Sequence, residues 1–178
     1  MPIARARHWI IIGFLLVPYI GVGREAAAQV TFGSPGDPAR IAIGGGAYDV
    51  IPETHPGSGV IGSVLSEFRF GDKLWIISPF LGAMGTAKGD VYAYVGFGFD
   101  VHVPYNLILT PSFAGGYYQH GHGVDLGYWW EFRSGAELAY RFADQKRLGV
   151  GFYHISNAGL GNRNPGVELV NVVLMTPF

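Results

Sequence analysis

Near the end of this 178-residue chain three residue types that together do acyl-transfer chemistry lie close in sequence: His154, Ser156 and Glu168, within GFYHISNAGLGNRNPGVELVNVVLMTPF. A serine hydroxyl is a weak nucleophile until a base takes its proton. A histidine can be that base if an anion fixes its tautomer and stabilises the imidazolium that forms. A glutamate supplies the anion. The three types are those of a Ser-His-Glu triad, provided the fold brings them together.

The flanking residues say which element must do this. Leu148, Val150, Phe152, His154 and Ser156 share one parity, and so do Glu168, Val170, Val172, Leu174, Thr176 and Phe178. Period two is the signature of a strand, so both segments read as strands with one apolar face. The polar trio lies on that apolar face. Two residues along a strand put His154 and Ser156 about 6–7 Å apart at the backbone, and Glu168 can meet His154 from the neighbouring strand. If the apolar face meets lipid, ionisable groups on it are costly and become functional candidates. A blander reading is also open at this level: three polar groups marking the interface rim, where they cost little.

The rest of the chain repeats the pattern. From Tyr128 to Phe142 the even positions read Tyr128, Trp130, Phe132, Ser134, Ala136, Leu138, Tyr140 and Phe142, while the odd ones include Glu131, Arg133, Glu137 and Arg141. Val91 to Val103 alternate likewise with Tyr92, Tyr94, Gly96, Gly98, Asp100 and His102. The spacing predicts eight strands, near 40–50, 59–70, 74–85, 91–103, 107–118, 127–142, 147–156 and 167–178. Short links at 71–73, 104–106 and 143–146 alternate with longer ones at 51–58, 86–90, 119–126 and 157–166, as in a barrel with short periplasmic turns and longer outer loops. The expectation is an all-β fold, an eight-stranded antiparallel transmembrane β-barrel. A soluble barrel of the lipocalin type is the competing architecture, but it would put its charges outside.

Composition agrees with the membrane reading. Hydrophobic residues make up 49% and charged residues 14%, yet no apolar run in the body of the chain reaches the length of a spanning helix. Arg5 and Arg7, the apolar stretch from Trp9 to Val22 and Ala26-Ala27-Ala28 read as a signal peptide over 1–28, leaving a barrel domain over 29–178. A retained helical anchor is the alternative for that segment. Cysteine is absent, so disulfide-framework folds are excluded. Without Arg5, Arg7, Arg24 and Glu25, the 12 Lys+Arg and 13 Asp+Glu become 9 and 12, a net charge of −3, which offers nucleic acid no basic footprint.

The stretch His154-Ile155-Ser156-Asn157-Ala158-Gly159, followed by Asn164-Pro165-Gly166-Val167-Glu168 and a terminal strand, resembles the outer-membrane lipid A 3-O-deacylases of the PagL family. The resemblance is specific from His154 to Phe178 and elsewhere rests on length, signal and strand count. It implies Ser156 as nucleophile, His154 as general base and acid, and Glu168 as orienting carboxylate. It further implies Asn157 and the backbone N–H of Gly159 as the oxyanion hole; an ordinary turn is the other reading of Asn157-Ala158-Gly159. The implied activity is hydrolysis of the 3-position acyl ester of lipid A, part of lipopolysaccharide, at the outer leaflet of the bacterial outer membrane, with no cofactor. Acyl chains are expected along Phe152, Val150, Val170 and Val172. A non-enzymatic small barrel and a phospholipase-type esterase are the alternatives, and self-association into a homodimer is left open.

Other motifs are weaker. His120 and His122, with His55 on another outer loop, have metal-binding chemistry but no carboxylate or cysteine partner at ligand spacing, and no metal is assigned. Gly96-Phe97-Gly98 lacks the strand-to-helix context of a phosphate cradle.

Overall fold

The computed structural model describes residues 30–33, 36–52, 58–71 and 74–178. The segment expected to direct export, 1–28, lies outside them, as does His55. The described residues form β1 (Thr31–Phe32), β2 (Arg40–Tyr48), β3 (Ile61–Arg69), β4 (Ile77–Thr86), β5 (Val91–Phe99), β6 (Val101–Val103), β7 (Leu107–Gln119), β8 (Trp130–Arg141), β9 (Arg147–Ser156) and β10 (Val167–Pro177). The eight long strands pair antiparallel in chain order, and β10 returns to β2 through Val173↔Gly44 and its neighbours. That last pairing closes the sheet. A closed barrel leaves no edge, which lets strands cross lipid with every backbone group satisfied.

Alternation decides what faces where. Along β9 the odd residues are buried and the even ones exposed as far as Phe152, and β10 follows the same rule. The odd residues of β8 carry Glu131, Arg133 and Glu137 inward, whereas Leu138 and Tyr140 face out. Charges inside and Ile43, Val64, Val95, Phe152 and Val172 outside are the arrangement of a membrane barrel. Aromatic residues gather at both ends of this exterior: Tyr117, Tyr128, Trp129 and Trp130 at one, Phe68, Phe70, Tyr140, Phe142 and Phe178 at the other. These are the girdles that sit at the two membrane interfaces.

The interior packs apolar and aromatic side chains, among them Tyr48, Leu65, Met84, Tyr92, Leu169 and Met175, around a polar network. Arg133 donates to Glu67 at 2.9 Å and to the Tyr94 hydroxyl at 3.0 Å, while Arg69 joins Glu67 to Glu137. The Arg133 guanidinium also lies over the Tyr94 and Tyr153 rings, at 4.4 and 4.5 Å from their centroids. At the end bearing the C-terminus, Asp37 pairs with Arg40 and Arg147, and Arg147 also reaches Asp100.

Three details depart from the strand pattern. The expected strand 91–103 is broken at Asp100, whose buried carboxylate turns inward to Arg147 and accepts from Thr110 at 2.6 Å. The short β1, which the pattern did not suggest, pairs with β6 just beyond this break through Thr31↔His102. The link between β4 and β5 spans only 87–90, shorter than the 70–76 link at the opposite end, so the alternation of short and long links is not strict. Asp90 explains the tight link: its carboxylate accepts from the Thr86 hydroxyl and from the amides of Gly121 and Gly123, tying the 120–129 loop down over the turn.

Candidate active site

The β9–β10 register sets Glu168 directly opposite His154. Both point outward, and His154 Nδ1 lies 2.9 Å from Glu168 Oε1. A carboxylate at this distance accepts from Nδ1–H, which in the neutral imidazole leaves the lone pair on Nε2. The His154 side chain is 42% exposed and that of Glu168 24%, which leaves the imidazole open on its outer side.

Ser156 ends β9 on the same outward face, two residues beyond His154. Across the β8–β9 ladder Phe132 stands opposite Ser156 and Ser134 opposite His154. His154 is therefore flanked by Glu168 on one strand and Ser134 on the other. In the sequence Ser134 is one more member of an apolar face, because its relation to His154 depends on register alone.

Asn157 faces inward and is fully buried. Its amide nitrogen donates to the carbonyls of Leu126 and Arg163, each at 2.8 Å, and its side-chain oxygen accepts from Gly159 N–H at 2.9 Å. Its own N–H donates to Asn164 Oδ1 at 2.9 Å. Both groups expected to line an oxyanion hole are thus engaged in hydrogen bonds of the loop 157–166 and its neighbour 120–129, with Asn157 as the organiser of the former. Ala158 and Gly159 follow with φ of 53° and 82°, the left-handed conformation that turns the chain sharply after the strand.

Sequence reasoning missed Gly166. Its φ is 68°, and a Cβ there would come within 2.7 Å of His154 Cε1. The glycine lets the backbone lie against the imidazole, and only the fold reveals the contact. Also unforeseen was the ion pair of Arg163 with Asp125, which links the site loop to the 120–129 loop. The Gly127 amide and Arg163 hold the Asp125 carboxyl below the usual carboxylate range. His120 Nε2 lies 3.2 Å from the Gly123 carbonyl, and among the described residues no group of three His, Cys, Asp or Glu is arranged to hold a metal ion.

A closed barrel with its charges inside, a greasy exterior and a histidine–carboxylate pair on that exterior defines an outer-membrane barrel whose polar site lies on the membrane side. The chain belongs to the lipid A 3-O-deacylase (PagL) family, whose model matches residues 58–177. Its fold is similar to the crystal structure of the outer membrane enzyme PagL, with a TM-score of 0.62 and 17% identity over 78% of this chain and 99% of that one. No curated protein matches the sequence. Family and fold support a lipid A deacylase type of hydrolase in the bacterial outer membrane.

Proposed function

We propose that this protein is a lipid A 3-O-deacylase, a serine esterase that removes the acyl chain at the 3-position of lipid A from within the outer leaflet. The observation that carries the reading is the outward-facing His154–Glu168 pair at 2.9 Å, with Ser156 next on the same face. In this reading residues 1–28 direct export and are removed, and the loops 49–60, 87–90, 120–129 and 157–166 lie outside the cell. The ester then reaches the site laterally through the membrane, and no channel is needed.

His154 Nε2 takes the Ser156 proton as Oγ attacks the ester carbonyl, and Glu168 stabilises the imidazolium through Nδ1–H. The tetrahedral intermediate collapses, His154 returns the proton to the departing sugar hydroxyl, and the acyl chain remains on Ser156. Water, activated by His154 in turn, releases the fatty acid and restores the serine. Gly159 N–H serves the oxyanion by leaving Asn157 Oδ1 and turning to the developing charge, while Asn157 acts through the loop it holds. Preorganisation of the loop by Asn157 limits the cost of that exchange.

The test is mass spectrometry of lipid A incubated with purified protein. Loss of one hydroxyacyl chain from the 3-position is expected with the unchanged protein and not with Ser156→Ala. Cleavage at another position would assign the same machinery to a different ester, and equal activity of Ser156→Ala would remove the serine mechanism.

A further inference from the structure

One row of side chains on the outer face reads Ser134, His154, Glu168, carried by β8, β9 and β10 at a single level of the barrel. Two of the three are engaged with each other. His154 offers Nδ1 to Glu168 and sets Cε1 against Gly166, so both of these close contacts lie on the β10 side of the imidazole. Ser134 stands on the other side. It is exposed, and among the described residues its hydroxyl meets no hydrogen-bond partner. An unpaired hydroxyl on a lipid-facing wall costs free energy, which makes it a candidate for contact with a ligand.

The neighbours of Ser134 are apolar apart from the site itself. Phe113 stands opposite it on β7 and is stacked on Phe132 at 5.8 Å between centroids, while Phe132 stands opposite Ser156. Two residues deeper along β8, Ala136 faces Phe152. The hydroxyl is thus a polar point in greasy surroundings, and its depth is set by the strand. Ser134 lies two residues further from the outer loops than Phe132, about 6–7 Å along β8. Ser156 and Ser134 are diagonal neighbours across the β8–β9 ladder, with backbones roughly 7–8 Å apart.

An ester with its carbonyl at Ser156 and its sugar toward the outer loops runs its acyl chain inward past this level. A hydroxyl on the carbon two bonds beyond the carbonyl then comes within reach of Ser134 Oγ. Two hydroxyls suit one another, since each both donates and accepts. The sugar and its substituents lie on the opposite side of the carbonyl, toward the loops. We propose that Ser134 is a specificity-determining residue that hydrogen-bonds a hydroxyl at the third carbon of the scissile acyl chain, so that 3-hydroxyacyl esters are preferred to unsubstituted ones. The proposal rests on Ser156 as the nucleophile. Ser66 provides the contrast: it also faces out, from β3, but lies between Ile43 and Ala83, in a row that meets β10 at Leu174 rather than at Glu168.

The test uses the full-length protein in detergent micelles and measures the ratio of kcat/KM for p-nitrophenyl 3-hydroxydodecanoate to that for p-nitrophenyl dodecanoate. The unchanged protein should prefer the hydroxy ester. Ser134→Ala and Ser134→Val should each lower the ratio roughly three- to tenfold, the worth of one hydrogen bond that trades with water. Ser134→Thr, which restores a hydroxyl at the bulk of valine, should recover the ratio, and Ser66→Ala should leave it where it was. Heat-modifiable gel mobility checks the fold of each variant, and the Thr and Val pair decides even where Ser134→Ala does not fold. No preference in the unchanged protein, the same ratio in the Thr and Val variants, or an equal loss on both esters in Ser134→Ala each overturns the role of Ser134; with Ser156→Ala inactive, the esterase stands. Full activity of Ser156→Ala overturns both.

Discussion

Two sets of polar residues sit on opposite sides of the barrel wall, one carried by β3 and β8 and the other by β9 and β10. Inside, Glu67, Arg69, Arg133 and Glu137 hold one another in a chain of ion pairs and hydrogen bonds that leaves Arg133 Nε as their one buried atom without a partner. Outside, His154 and Glu168 share one hydrogen bond and remain partly exposed. Tyr153 and His154 are adjacent in sequence yet belong to different sets. Mutual satisfaction is what a buried network needs to be stable, whereas incomplete satisfaction on an exposed face leaves capacity for a reacting group. Polar residues in a barrel wall therefore carry meaning through the number of partners they have, and chemistry is expected where partners are few.

If that contrast is right, substitutions outside should act on rate and substitutions inside on stability. The largest effect belongs to Ser156→Ala and His154→Ala: lipid A deacylation should fall by on the order of 10⁶, with the heat-induced mobility shift unchanged. Glu168→Ala should cost less, roughly 10⁴ in rate, because the carboxylate acts through His154; the same mass-spectrometric assay run to longer times measures the residue of activity. Wild-type turnover from the Glu168 variant would detach that carboxylate from the chemistry.

Inside, Arg133→Met should reduce stability by about 3–5 kcal/mol, since it leaves Glu67 and the Tyr94 hydroxyl short of a buried partner. The urea midpoint in detergent is the measurement, and rate per folded molecule should hold. A large loss of rate with an unmoved midpoint would erase the distinction between the two faces. Asn157→Ala sharpens the comparison because the residue belongs to both sets, facing inward while organising the site loop. A rate loss of about 10²–10³ is expected, equivalent to roughly 2.7–4 kcal/mol of barrier, together with faster proteolysis of 157–166. Arg163→Ala should matter least: its pair with Asp125 is solvent-exposed, and such pairs are worth about 1 kcal/mol or less. Loop proteolysis rates in the two loops would register even that change.

Much of the barrel was readable along the chain. Period-two alternation located all eight long strands, and low charge with inward-parity Glu and Arg indicated which face met lipid. The departures at Asp100 and at the 87–90 link each trace to one carboxylate whose partners, Arg147 in one case and Gly121 and Gly123 in the other, are distant in sequence. Of the site, the shared face of His154, Ser156 and Glu168 was legible because parity is a local property. The pairing of Glu168 with His154 was suggested by adjacency of the two strands and became definite with the register.

What the sequence determined by itself was the periodicity: which residues face out, how many strands there are and which residue types share the apolar side, because each strand's alternation follows from backbone geometry within that strand. The tertiary structure alone decided everything that depends on how far one strand is shifted against the next. Register set Glu168 rather than a neighbour against His154, placed Ser134 and Phe132 beside the site, and closed β10 on β2. A shift of two residues would preserve every facing and destroy every one of these contacts, since the interactions that choose among such shifts are summed around the whole closed barrel.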